Sequence, residues 1–154
     1  MITVNRCDSS NEEFIDLVRC LDKDLTEING ERQNYYNQYN VLPLIQTVVV
    51  IKKDELPIGC GCFKEYDSNS VEIKRMYINP QNRGKGYSKM ILEELEKWAF
   101  ELGYTRTLLE TGHNQVEALG LYNRFGYHQI SNYGQYVNVK NSVCFEKAIN
   151  YRNR

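Results

Sequence analysis

Apolar residues along this chain follow two rhythms, and the points where one gives way to the other divide the sequence into elements. Ile2 to Arg6 reads as a short strand. Phe14, Leu17, Val18, Leu21, Leu25 and Ile28 then recur every three or four residues, which predicts a helix with one buried face. Ser10 and Glu13 have the capping-box spacing that would open it, and Gly30 can adopt the left-handed conformation that would close it. Glu31 to Pro43 is rich in Asn, Gln and Tyr with a weak helical pattern through Tyr35, Tyr36 and Tyr39, and reads as a short helix or an ordered loop.

The rhythm then shortens. Thr47 to Ile51 is a β-branched run, Asp54-Glu55-Leu56-Pro57 a turn, and Ile58 to Tyr66 a second strand, so a hairpin is expected. Asp67 to Ser70 turns the chain into a third strand from Val71 to Ile78, and Asn79-Pro80 ends this meander. Helical spacing returns at Ile91, Leu92, Leu95, Trp98, Ala99 and Leu102, with Gly103 as terminator. Thr107 to Glu110 is a strand that a helical crossover makes parallel to its predecessor. Asn114 and Glu117 have cap and third-position spacing for a last helix through Leu121, Tyr122 and Phe125, closed by Gly126. Tyr127 to Ile130 and Ser142 to Lys147 are the final strands, joined by a polar loop.

Composition narrows the function more than the fold. A chain of 154 residues is expected to form one domain over 1–154. Its 19 basic and 20 acidic side chains are interspersed and leave no broad positive field, which disfavours a nucleic-acid partner. No apolar run approaches the roughly 20 residues of a membrane span, and Met1 to Arg6 has no signal pattern, so no membrane partner and a cytoplasmic location are expected. Five cysteines lack zinc-site or disulfide-scaffold spacing and are expected to be reduced thiols, with Cys60 and Cys62 as small buried hydrophobes in a strand. His113 and His128 have no metal-ligand spacing.

The chemistry concentrates between the third strand and the following helix, at Gln81-Asn82-Arg83-Gly84-Lys85-Gly86. Glycines at a helix start let backbone amides approach an anion closely, and Arg83 and Lys85 add flanking positive charge, as a pyrophosphate would require. The third glycine of a dinucleotide fingerprint and the Lys-Ser/Thr ending of a P-loop are both missing. Taken alone, the hexapeptide serves equally as an anion cradle or as a plain chain reversal.

Its surroundings decide between the two. Gln81-x-x-Gly84-x-Gly86, preceded by Glu72-Ile73-Lys74-Arg75-Met76-Tyr77-Ile78-Asn79-Pro80, resembles the coenzyme A loop and preceding strand of the GNAT N-acetyltransferase family. Leu109-Glu110-Thr111-Gly112 and the later Ala118-x-x-Leu121-Tyr122-x-x-x-Gly126-Tyr127 resemble its second block, with Tyr127 where a Phe commonly follows the glycine. The resemblance covers about residues 46 to 149. It implies an α/β fold: a mixed, mostly antiparallel six- or seven-stranded sheet with helices on both faces and a central parallel pair that splays apart. It implies acetyl-coenzyme A as cosubstrate, with contacts from Met76, Tyr77 and Ile78, from the loop Gln81, Asn82, Arg83, Gly84, Lys85 and Gly86, from Tyr87 and Ser88, and from Asn114.

The implied reaction is direct transfer of acetyl to a primary amine. Tyr122 matches the family tyrosine that acts as general acid toward the departing sulfur, and a phenol is protonated at neutral pH. Glu72 is the first choice for general base, or else a partner for Lys74 or Arg75; Glu110 is the second choice, or else a cap for nearby backbone; His113 is a further candidate, and His128 reads as structural. Tyr35, Tyr36, Tyr39 and the Asn132 to Asn141 loop with Tyr133 and Tyr136 are read equally as walls of a pocket for a small amine or amino acid or as surface aromatics. A protein lysine or N-terminal amine is the rival acceptor, an acyl-coenzyme A sensor without turnover a third reading, and a homodimer is allowed.

Overall fold

Val48, Val49, Val50 and Ile51 are each no more than 1% exposed, and four consecutive buried side chains require a strand covered on both faces. The surrounding architecture, a computed structural model, describes residues 1–29 and 44–150, with side chains described through residue 24 and again from residue 44. Gly30 and the tyrosine-rich segment from Glu31 to Pro43 lie outside the described residues.

In chain order the elements are β1 (Ile2–Cys7), α1 (Glu12–Asn29), β2 (Val48–Lys53), β3 (Leu56–Asp67), β4 (Ser70–Ile78), α2 (Tyr87–Glu101), β5 (Arg106–Gly112), α3 (Val116–Arg124), β6 (His128–Ile130) and β7 (Ser142–Ala148). Short 3₁₀ turns lie at Pro80–Asn82 and Gly134–Tyr136. The strands form one seven-stranded sheet in the order β1-β2-β3-β4-β5-β7-β6. Every pairing is antiparallel except β4 with β5, where the crossover through α2 makes them parallel. The expected mixed α/β fold is the observed one, with seven strands.

Alternation along the strands sorts the core into two layers. Val48, Val50, Cys60, Cys62 and Tyr77 meet Phe14 and Leu17 of α1 on one face. Val49, Ile51, Phe63, Val71 and Ile73 meet Ile91, Leu92, Leu95 and Ala99 of α2 on the other, where α3 adds Tyr122. Each aliphatic side chain buried in this way contributes about 1.5–3 kcal/mol. Cys60 and Cys62 are fully buried, and burial pushes the Cys62 thiol up to about 12. All five cysteines are free thiols, two of them serving as the small apolar residues the sequence suggests.

Two helix starts differ from expectation. The α1 amide of Phe14 is capped by Asn11 Oδ1 at 2.9 Å, not by Ser10, whose hydroxyl turns back to Asp8. Asn11 stands three residues before Phe14, the reach at which a cap oxygen meets an orphan amide, and Glu13 instead pairs with Lys52 at 2.9 Å. At α3 the cap position falls on Gln115, without a side-chain cap, because the Gln115 amide closes a turn onto the Gly112 carbonyl and leaves Asn114 exposed outside the helix.

A buried polar group ties the helical layer to the sheet. Glu96 of α2, with no exposed surface, accepts from Tyr127 Oη and from Lys147 Nζ, both at 2.9 Å. The Tyr127 hydroxyl also meets Thr107 Oγ1 of β5 at 2.9 Å. This fixes α2 against β5 and β7, the elements that frame the candidate site.

Candidate active site

The site begins where the parallel pair comes apart. Pairing between β4 and β5 runs from Ser70–Arg106 to Ile73–Leu109 and then stops. Beyond it β5 stays with β7 through Glu110–Cys144 and Gly112–Ser142, while β4 stays with β3 through Lys74–Cys62, Tyr77–Cys60 and Ile78–Gly59. Three steps on β4 from Lys74 to Tyr77 face two on β3 from Cys62 to Cys60, so β4 carries one extra residue. Arg75 stands there with φ 60°, the signature of a bulge that sharpens twist and turns the strand aside. Gly61 faces it, and a Cβ at that position would lie 2.5 Å from Met76 Sδ. The result is a slot in the sheet with Arg75 to Ile78 along one edge and Glu110 to Gly112 along the other.

The glycine turn lies at the mouth of that edge. Gly84 (φ 76°) and Gly86 (φ 85°) hold left-handed conformations, and a Cβ built on either meets nothing within 4 Å, so the space beside both glycines is open. Gly86 is the N-cap of α2 and supplies no side-chain cap, which leaves the first helical amides available to an anion. Arg83 is drawn inward: its Nε donates to the Ile78 carbonyl at 2.7 Å and its Nη2 to Asp24 Oδ2 of α1 at 2.9 Å. Asn82 Nδ2 donates to Asn79 Oδ1 at 2.6 Å, while Gln81 and Lys85 are exposed and Tyr87 and Ser88 half-buried. The turn thus has the open amides and neighbouring cations that a pyrophosphate requires, and the backbone cradle fits the group.

On the α1 side of the slot, alternation along β4 puts Lys74 beside Glu72. Glu72 is 1% exposed, and both carboxylate oxygens are engaged. Oε2 accepts from Tyr133 Oη at 2.8 Å, and Oε1 lies 3.6 Å from Lys74 Nζ and 3.9 Å from Lys64 Nζ. Lys74 Nζ donates to Tyr136 Oη at 3.2 Å. Burial lowers the Lys74 ammonium below the usual lysine range, against the opposing pull of Glu72. Burial foremost, and then the Glu72 charge, raise both the Tyr133 and Tyr136 phenols.

Glu110 is the first β5 residue past the last parallel pair. Its Oε2 accepts from Ser142 Oγ at 2.6 Å. Its Oε1 has no hydrogen-bond partner among the described residues and is not sealed from solvent. Burial pushes the Glu110 carboxyl up to about 7; the Ser142 hydrogen bond and Lys74 pull it down, and Glu72 adds to the rise. Tyr122 comes to the slot from the opposite face, 6% exposed, edge-on to Tyr127 and tilted against Phe145, with ring centroids 5.8 and 6.0 Å apart. Its hydroxyl likewise lacks a partner among the described residues and is not sealed. Burial first, then the Glu110 charge, raise its phenol, so it carries a proton at neutral pH.

The residues singled out in the sequence therefore divide. Met76, Tyr77 and Ile78 line the slot edge, the glycine turn adjoins it, Glu72, Glu110 and Tyr122 converge on it, and Asn114 is exposed beyond the end of β5. His113 is exposed, its amide bound to the Asn141 carbonyl, and His128 is exposed on β6. Among the described residues no group of His, Cys, Asp or Glu could hold a metal ion. Lys74 beside Glu72 is the pairing the sequence allows, since two residues on in a strand means the same face. Two other partners were not read from the sequence. Ser142 under Glu110 and Asp24 behind Arg83 carry no local signal, because both contacts join distant segments.

Comparison with known proteins settles the family. The model of the acetyltransferase (GNAT) family matches residues 14–127. The chain belongs to that family. A relative from Azospirillum brasilense, named IAA acetyltransferase, is 26% identical over 96% of this chain and 98% of its own length. The N-acetyltransferase YsnE of Bacillus subtilis is 36% identical over 62% of this chain and 64% of its own. Among solved structures, a Klebsiella pneumoniae protein described as an acyl-CoA N-acyltransferase superposes with TM-score 0.81 at 28% identity, covering 97% of this chain and 99% of that one. A GNAT family acetyltransferase of Elizabethkingia anophelis, solved with acetyl-CoA bound, shares the fold at TM-score 0.69 and 15% identity, over 96% and 97% of the two chains. This protein is an N-acetyltransferase of the GNAT type, and acetyl-coenzyme A is its cosubstrate. No described helix is long and apolar enough to cross a membrane.

Proposed function

We propose that this acetyltransferase moves an acetyl group directly to a primary amine of a small molecule or amino acid. The observation that carries this reading is the enclosure of the α1 face of the slot. Tyr133 and Tyr136 fold over Glu72 and Lys74 and leave those two side chains 2% and 3% exposed, so side chains cover this end of the slot, which favours a small acceptor over a polypeptide laid along it. The thioester supplies the activated acyl group.

The chain's own residues do the rest. Open amides at Gly84, Gly86 and the first turn of α2, with Arg83 and Lys85 beside them and Tyr87 and Ser88 at the helix start, hold the pyrophosphate. Gln81 and Asn82 shape the turn, and Asn114 borders the far end of the slot. The unpaired backbone edge at Met76, Tyr77 and Ile78 offers amides to the acyl oxygen, a preorganised donation of the kind worth about 3–4 kcal/mol at a transition state. Tyr122 is the acid for the departing sulfur, and the base is one of the two carboxylates, Glu72 or Glu110.

The test is coenzyme A release with a panel of amino acids, arylalkylamines and polyamines, run beside lysine peptides and free N-terminal peptides. Turnover is expected on small amines. Turnover confined to peptides would move the acceptor class to protein amines, and acetyl-coenzyme A binding without turnover on either set would make the chain an acyl-coenzyme A sensor.

A further inference from the structure

We propose that Glu110, rather than Glu72, is the carboxylate that receives the proton of the acceptor amine, because it alone of the two offers an unengaged oxygen at the point where β4 and β5 part. This rests on the amine-acetyltransferase reading above and assigns one step within it.

The two carboxylates differ in access. Glu72 lies inside the paired part of the sheet, opposite Leu108, with Tyr133 on one oxygen and Lys74 and Lys64 near the other. An incoming amine would have to displace these groups to reach it. Glu110 stands one residue beyond the last pair, with Oε2 held by Ser142 and Oε1 left for a ligand. Glu72 is therefore a positioning residue: it fixes Lys74 and Tyr133 beside the slot.

The slot also separates acid from base. Leu109 and Thr107 of β5 face the α2 layer, where Thr107 meets Tyr127, so Glu110 projects to the α1 face with Glu72 and Lys74. Tyr122 approaches from the α2 layer. The two groups sense each other through the gap, since the Glu110 charge acts on the Tyr122 phenol. An amine entering from the α1 face meets Glu110 on its own side of the acyl carbon, and the departing sulfur meets Tyr122 on the other.

The acceptor arrives as an ammonium and gives one proton to the Glu110 carboxylate; its nitrogen lone pair then forms the bond to the acyl carbon. The carbon–sulfur bond breaks with its electron pair on sulfur, which takes the Tyr122 proton, and the remaining excess proton on nitrogen restores that phenol. Glu110 releases its proton to solvent. The charged and titratable groups around Glu110 are Lys74 and Glu72 on β4, Tyr122 on α3, Tyr136 on the 3₁₀ turn, and Cys144 on β7, beside its hydrogen-bond donor Ser142. A carboxyl titrating to about 7 among them suits proton uptake at neutral pH.

Two readouts test this. In the free protein labelled with carboxyl-¹³C glutamate, one side-chain resonance should titrate near neutrality and be missing from Glu110→Gln, and Ser142→Ala should move that titration to higher pH. In turnover with the best amine of the panel, the ascending limb of the pH–kcat/KM profile should follow the same titration. Glu110→Gln should then abolish that limb and lower kcat by about 100-fold or more, with the acetyl-coenzyme A thermal shift retained. Glu72→Gln should lose activity yet keep the limb. The proposal is overturned if Glu110→Gln keeps both the limb and kcat within about threefold of wild type, or if Glu72→Gln removes the limb instead. An enzyme that binds acetyl-coenzyme A and acetylates no amine would defeat the amine reading and this assignment together, whereas loss of the limb only in Glu72→Gln would defeat the assignment alone.

Discussion

Glu110 should destabilise the fold wherever it is ionised, and the size of that penalty can be worked from its surroundings. Its carboxyl rises from an ordinary 4.5 to about 7, chiefly through burial. At about 1.4 kcal/mol per unit, the folded state disfavours the charged form by about 3 kcal/mol relative to the unfolded chain. The sign follows from proton binding. Between the two values the folded chain holds a proton that the unfolded chain has lost, so stability is full below about 4.5, declines as pH rises, and levels off above about 7. Gln keeps an acceptor for Ser142 and cannot ionise, so Glu110→Gln removes only this dependence. Urea unfolding of both proteins should give nearly equal stability at about pH 4, and a mutant more stable by about 3 kcal/mol at about pH 8. Other titrating groups are common to both chains and cancel in the difference. A difference that stays flat within about 0.5 kcal/mol across this range would refute the burial argument, as would a mutant less stable at high pH. Confirmation alongside lost activity would mean that the site keeps its proton acceptor at a cost in stability.

Other expectations follow from the same geometry. Gly84→Glu puts a Cβ and a negative charge into the open side of the turn at φ 76°; acetyl-coenzyme A affinity by calorimetry should fall at least about 100-fold while circular dichroism is unchanged, and an unaltered Kd would refute the pyrophosphate position. Tyr122→Phe keeps the ring contacts with Tyr127 and Phe145 but removes the proton donor, so the melting temperature should hold while kcat drops about 100-fold; an unchanged kcat would remove its role as acid. Lys147→Met takes the cation from fully buried Glu96 and should cost about 3 kcal/mol in urea unfolding, which a loss below about 0.5 kcal/mol would contradict.

Much of this fold is legible in the chain. The change from helical to strand spacing at Thr47, and back again after Gly86, locates α1, the β2–β4 meander and α2, because burial on one face or two imposes those periods directly. Helix caps were less legible: Ser10 and Asn11 both suit a cap, and only the turn made by Asp8 and Ser10 selects Asn11. The site was legible to the extent that its parts are contiguous. Gln81 to Gly86 is one continuous stretch, and its glycines take the positive φ that their missing Cβ allows.

What the sequence by itself determined is the order of elements, the glycine turn at a helix start, and the family to which both point. These depend on neighbours within a few residues, whose spacing is fixed by helix and strand geometry. Only the tertiary structure set the two carboxylates apart. Glu72 and Glu110 look alike in the chain, each a glutamate on one of the two parallel strands. The sheet register sets one inside the last β4–β5 pair, under Tyr133 and Lys74, and the other just past it with an open oxygen. That difference comes from where pairing stops and from what a loop some 60 residues away folds onto, and no local pattern encodes either.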